Sequence, residues 1–150
     1  MKLTPPTVFL AALLVAGAGA AAAASTVIAL TPSTMQWTAG TGVNKGTSLT
    51  ILTGNPAKAG PSIIRVKMPN GYVNQPHYHA HPEYLTVISG AILFGTGDTV
   101  NKSAAKLYGP GSFIAVPAGV HHWSIVQGET VEQIGGDGPL DNLPIKHASK

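Results

Sequence analysis

The feature that most constrains this chain is a rhythm. Short runs of β-branched and apolar residues recur along it, each cut off by glycine, proline or asparagine. The runs fall at 26–30, 49–52, 62–68, 73–79, 83–88, 91–95, 112–116, 122–127 and 130–134. Between them stand breakers such as Pro69-Asn70-Gly71, Gly95-Thr96-Gly97-Asp98 and Gly109-Pro110-Gly111. Valine, isoleucine and threonine suit a pleated surface, whereas glycine and proline interrupt it. Short strands at this spacing predict an all-β sandwich or barrel. Beyond residue 25 no segment keeps a 3.6-residue apolar period, so little helix is expected. Ser89-Gly90 lies between two apolar runs and predicts a tight hairpin with glycine at positive φ. Residues 38–48 read as a surface loop. Residues 135–150 are expected to cover a sheet edge and then fray.

The first two dozen residues carry a different message. Lys2 gives a positive start, 8–15 is apolar, and 18–24 is a run of small residues ending in Ala22-Ala23-Ala24 before Ser25. That pattern predicts a signal peptide over 1–24, export to the periplasm or medium, and a single domain over 25–150. A membrane anchor is the rival reading, but a span needs about 20 consecutive apolar residues, and the strongly apolar stretch is shorter. The chain has no cysteine. Disulfides cannot hold it together, so an exported domain must rely on packing, helped by a metal.

Charge excludes one class of partner. The net charge is +3, and Lys45, Lys58, Arg65, Lys67, Lys102, Lys106, Lys146 and Lys150 are scattered. No basic face of the kind that nucleic acid requires is visible.

Histidine is where the chemistry concentrates. His77, His79 and His81 stand within a few residues of Glu83, and His121-His122 follows in a later run, so that five of the six histidines fall in two segments. Imidazole and carboxylate are the donors preferred by first-row divalent metals, and no thiolate competes here. Side chains two apart on a strand share a face, so His77 and His79 project together. Glu83 has the same parity, but four residues of straight strand span roughly 13 Å. The chain must therefore turn at Ala80-His81-Pro82 and bring Glu83 back on the adjacent strand. His81 then sits at the rim. Adjacent residues face opposite ways, so only one of His121 and His122 can join the cluster, and periodicity does not choose between them.

At this point the sequence resembles a cupin. Gly71, five residues, His77, one, His79, three, Glu83, six, Gly90 matches the first cupin motif at each fixed position. Gly111, five residues, Pro117, one, Gly119, two, His122 matches the second, with Val126 in place of its final asparagine. The resemblance selects His122 over His121. It implies an antiparallel jelly-roll barrel (a double-stranded β-helix) with one divalent transition metal (Mn, Fe, Co, Ni, Cu or Zn) held by His77, His79, Glu83 and His122. The resemblance spans about residues 49–134.

Parity around these residues suggests the rest of the site. Gln75 shares a face with His77, and Ser124 with His122, as hydrogen-bonding neighbours. Leu85, Val87, Phe113 and Val126 are expected to make the pocket apolar. Tyr78 and Trp123 alternate with the ligands and should face outward, an aromatic belt that would support a homodimer. His81 and His121 at the rim are the only candidate general bases. There is no paired-carboxylate or serine-nucleophile arrangement, no phosphate-cradling loop and no dinucleotide fingerprint. Two functions fit. One is an exported metal-dependent enzyme, a dioxygenase, isomerase or lyase acting on a small oxygenated molecule. The other is a non-catalytic ligand-binding or metal-sensing module, similar to the cupin domain attached to some bacterial anti-sigma factors. A lone domain without partner-binding helices favours the first.

Overall fold

The computed structural model describes residues 26–145. The predicted signal peptide over 1–24 lies outside them. The described residues form nine antiparallel strands and two single turns of 3-10 helix, Gly42–Asn44 and Lys102–Ala104. The strands are β1 (Thr38–Ala39), β2 (Ser48–Thr53), β3 (Gly60–Met68), β4 (Val73–Tyr78), β5 (Glu83–Thr96), β6 (Lys106–Tyr108), β7 (Phe113–Val116), β8 (His122–Gly138) and β9 (Leu143–Pro144).

Two long strands build the barrel. The second half of β8 lies between β3 and the first half of β5, with Ile64↔Ile134 and Leu85↔Ile134 in register. Its first half lies between β4 and the second half of β5, with His77↔His122 and Thr96↔His122 in register. Both long strands thus pass from one sheet to the other, β1, β2, β3 and β7 extending the first and β9, β4 and β6 the second. This is the jelly-roll barrel, a sheet curled until most of its edges are covered.

The expected hairpin at Ser89-Gly90 is therefore a kink inside β5. Gly90 has φ 72°, and the pairing with β8 shifts register on either side of it. A Cβ there would come within 2.3 Å of the Thr130 hydroxyl, so glycine is required by close approach as well as by φ. Residues 26–30 form no strand, and the expected loop over 38–48 contains β1 and the first 3-10 turn. Residues 135–138 extend β8, and Leu143–Pro144 pairs with β4 at Tyr78 and His77, covering that edge. The core lies between the sheets: Met68, Leu85, Val87, Ile92 and Val126 are buried, with Val66, Tyr72, Phe94, Tyr108, Ile114 and Ile134 packed on them. Burying such side chains contributes about 1.5–3 kcal/mol each relative to exposure.

Candidate metal centre

Three strand ends and one turn assemble the cluster. β4 carries His77; the chain leaves β4 after Tyr78, turns through Ala80-His81-Pro82 and starts β5 at Glu83. His79 is on that turn, its own carbonyl held by the Gly119 N–H at 2.9 Å. His122 opens β8 directly across from His77. One ring nitrogen from each of His77, His79 and His122 lies within 4.8 Å of the others, and all three residues are buried. Glu83 falls outside that three-way grouping but is buried beside it. Its Oε2 is 3.4 Å from His79 Nε2 and 3.6 Å from His122 Nε2.

The hydrogen bonds around the rings decide which nitrogen is available. His77 Nδ1 donates to the Gln75 carbonyl at 2.6 Å and His122 Nδ1 to the Val120 carbonyl at 3.0 Å. His79 Nδ1 donates to the carbonyl of Asp141. Each ring thereby keeps a proton on Nδ1 and leaves Nε2 as the nitrogen that can offer a lone pair, which is the arrangement that makes imidazole a metal ligand. His79 Nε2 is buried without a hydrogen-bond partner; at 3.4 Å from Glu83 it has a neighbour, not a well-formed bond. Three inward-facing Nε2 atoms, that of His79 without a hydrogen-bond partner, and one carboxylate in a buried cluster fit a divalent cation.

The charges in the cluster are mutually adjusted. Burial and the neighbouring His122 push the His77 pKa down to about 4. Burial works the same way on His79, but the nearby Glu83 carboxylate and the hydrogen bond to the Asp141 carbonyl outweigh it, so its pKa is raised. Burial would raise Glu83, yet the close His122 and His79 rings, whose Nε2 atoms lie 3.6 and 3.4 Å from its Oε2, bring it down to about 2. Glu83 is thus the anion of the cluster and His77 a neutral base.

Beside the cluster lies a cavity of about 80 Å³, lined on its polar side by His79, Glu83, His81, Asn74, Asn142 and Glu132. Its apolar wall includes Ile64, Val66, Met68 and Ile134. His81 is half-buried at its margin beside Pro82. His121 faces away, 36% exposed and 2.6 Å from Asp98, with the Tyr78 ring 5.2 Å from its own.

Several neighbours sit elsewhere than the alternation suggested. Gln75 is exposed because β4 carries a bulge between Asn74 and His77. The bulge reverses parity, so Asn74 faces the cavity while Gln75 contributes only its carbonyl. Leu85, Val87 and Val126 are buried in the core and not in the cavity wall. Phe113 is 61% exposed and stacks on Tyr84 outside the barrel. Ser124 is buried opposite Asn74 but is not part of that wall. Trp123 does not face outward: it is fully buried, its ring so close to Gly95 that a Cβ there would come within 2.3 Å. With Trp123 enclosed and Tyr78 half-buried, the aromatic belt offered for a dimer is absent among the described residues.

Alternation in the sequence also marks an acid outside the histidine-rich segments. Glu132 shares parity with Thr130 and Ile134 on β8, and parity carries it inward. It is buried, its Oε1 has no hydrogen-bond partner, and burial together with the Glu83 charge raises its pKa to about 8. Asp141 and Asn142 reach the site through the tail's return along β4, which no local pattern announces.

Comparison with known proteins agrees with this architecture. A germin-like protein of Arabidopsis thaliana, subfamily 3 member 2, is 31% identical over 78 residues, covering 51% of this chain and 34% of that protein. The chain thus spans about a third of the length of that relative. Among solved structures, an RmlC-like cupin from Shewanella frigidimarina superposes with a TM-score of 0.58 at 15% identity, over 75% of this chain and 91% of that one. The DMSP lyase DddQ from Ruegeria pomeroyi does so with a TM-score of 0.56 at 19% identity, over 75% and 61%. At such identities the likeness is one of fold. The cupin family model matches residues 42–137, most of the described barrel, and the chain belongs to the cupin family.

Proposed function

We propose that this protein is an exported metal-dependent cupin enzyme acting on a small oxygenated molecule. The observation that carries the reading is the set of three Nδ1-anchored imidazoles around Glu83, opening on a partly apolar cavity. His77, His79, His122 and Glu83 would hold one divalent transition metal; mixed nitrogen and oxygen ligation suits Mn, Fe, Co, Ni, Cu or Zn. Bound there, the ion supplies Lewis-acid polarisation of a ligand oxygen.

The chain's own residues supply the rest. Backbone carbonyls fix the rings, so little reorganisation is needed when a ligand arrives. Ile64, Val66, Met68 and Ile134 exclude water from one side of the cavity, and Asn74 and Asn142 offer amides that can donate or accept. No lysine or arginine lines the cavity, which argues against a phosphorylated substrate. A chelating enediol, β-diketone or hydroxy-carbonyl compound fits such walls, and dioxygenation, isomerisation and elimination are all open to it. Export is part of the proposal and rests on the pattern of the first 24 residues; mass spectrometry of the secreted protein should find it beginning near Ser25.

Metal analysis of the isolated protein, followed by turnover assays on such compounds with and without the metal, tests the reading. About one ion per chain and metal-dependent turnover that vanishes in Glu83→Ala support it. Reversible binding without turnover would replace it with a binding module.

A further inference from the structure

Glu132 is the buried acid that the proposed chemistry leaves unused. It stands on β8 between Val66 of β3 and Val87 of β5, and it lines the same cavity as Glu83 and His79. Val87 is four positions on from Glu83 along β5, so the backbones carrying the two acids are roughly 13 Å apart. The two side chains share one cavity from different stations along its wall.

We propose that Glu132 anchors the bound molecule by donating a hydrogen bond from its carboxyl to a hydroxyl or carbonyl oxygen, so that the site selects ligands with a chelating end, an apolar middle and a second oxygen. This rests on the metal-centre reading and adds to it a second point of attachment.

Three observations carry the inference. First, Oε1 of Glu132 is buried and bonded to nothing in the protein. A buried polar atom left in that state costs about 1–3 kcal/mol, and a site for a ligand is the use that offsets such a cost. Second, no cation balances it. The cavity wall has no lysine or arginine, and the charge that acts on it is the like-signed Glu83. An isolated carboxylate in such a place is strongly disfavoured, so the group is held protonated. A protonated carboxyl has one O–H to donate, and its partner on a ligand must be an acceptor. Third, Ile64, Val66, Met68 and Ile134 flank it, which gives the section of ligand next to the anchor an apolar character.

The test compares two chelators on the full chain loaded with Co(II). Tropolone chelates through adjacent oxygens and is otherwise hydrocarbon; kojic acid chelates in the same way and carries further oxygens at its far side. Isothermal titration gives the kojic-to-tropolone affinity ratio for wild type and for Glu132→Leu, Glu132→Met and Glu132→Gln, with cobalt content measured in each. The ratio should fall about five- to tenfold in the Leu and Met variants, the loss of one hydrogen bond. It should stay within about threefold of wild type in Glu132→Gln, whose amide still donates. An unchanged ratio in both apolar variants at full cobalt content overturns the anchor and leaves the metal centre standing. A collapse in Glu132→Gln as deep as in Glu132→Leu overturns the neutral-donor role. Wild type that holds no cobalt and binds neither chelator brings down the metal centre, and the anchor with it.

Discussion

At the start of β8, His122 is buried in company: two other imidazoles and a carboxylate surround it, and each ring donates a hydrogen bond from Nδ1 to a backbone carbonyl. Further along the same strand, beyond Gly128 with its φ of 76°, Glu132 is equally buried but its Oε1 has no partner. The same low-polarity interior acts on both. In the cluster, partners outweigh desolvation and hold Glu83 ionised; at Glu132, desolvation meets no opposition and the acid is neutral. Burial therefore does not dictate the state of a carboxyl. Its neighbours do.

The sharpest way to break this comparison is to remove a ring from the cluster. His79→Ala should reduce bound metal from about one ion per chain to under a tenth, read by elemental analysis. It should also abolish the stabilisation that excess metal confers, about 2.7 kcal/mol at a hundred times Kd. His81→Ala, at the cavity margin, should leave metal content at the wild-type level. Retention of metal in the His79 variant would place the ion elsewhere.

Proton linkage in the metal-free protein separates the two regions next. Glu83, lowered from 4.5 to about 2, adds stability above pH 4.5 that is lost as the pH falls toward 2. His77, lowered from 6.5 to about 4, likewise makes stability fall as the pH drops from 6.5 to 4. Glu132 acts in the opposite sense. Its pKa is raised from 4.5 to about 8, so its contribution is complete below 4.5 and is lost as the pH rises to about 8. Between pH 6.5 and 8 wild type should lose about 1.5–2 kcal/mol in urea titrations. Glu132→Gln should flatten that limb and leave the acid limb alone. An equal slope in the variant would mean that Glu132 is ionised throughout.

A smaller effect comes from making the lone region wholly apolar. Glu132→Leu should stabilise the metal-free protein at pH 8 by about 1–3 kcal/mol, because an unsatisfied polar group is removed without emptying the space. Smallest of all, Phe113→Ser should change stability by less than about 0.5 kcal/mol and metal content not at all. A larger cost would show that the outer Tyr84–Phe113 face is covered in solution.

How much of this was legible in the sequence depends on how locally it is encoded. Glycine, proline and histidine positions carry the barrel and the turn that returns Glu83 toward His79, since each acts through its own backbone or side chain. Parity was less secure. It fails at the β4 bulge, where one extra residue turns Gln75 out and Asn74 in. It is also silent in Phe113-Ile114-Ala115-Val116, where apolar residues occupy both faces. Gly90 reads locally as a hairpin; only the pairing of β5 with β8 along its whole length shows it to be a kink. Trp123 is enclosed because Gly95 on the neighbouring strand leaves room for its ring, a fit between residues distant in sequence.

The bond from His79 to the Asp141 carbonyl gives residues 139–145 a standing that their composition hides. None of them is a proposed ligand, yet the tail sets the aim of one ring, and the Asp141 carboxylate also accepts the Ala80 N–H at 3.2 Å. Docking of the tail and capture of the proposed ion would then be linked equilibria, each strengthening the other by the same factor. Peeling this segment away, by a protease nick or a bulky fusion placed behind it, would weaken metal retention from outside the coordination sphere. Conversely, saturating the ion would guard the tail against digestion, making protease resistance a gauge of occupancy.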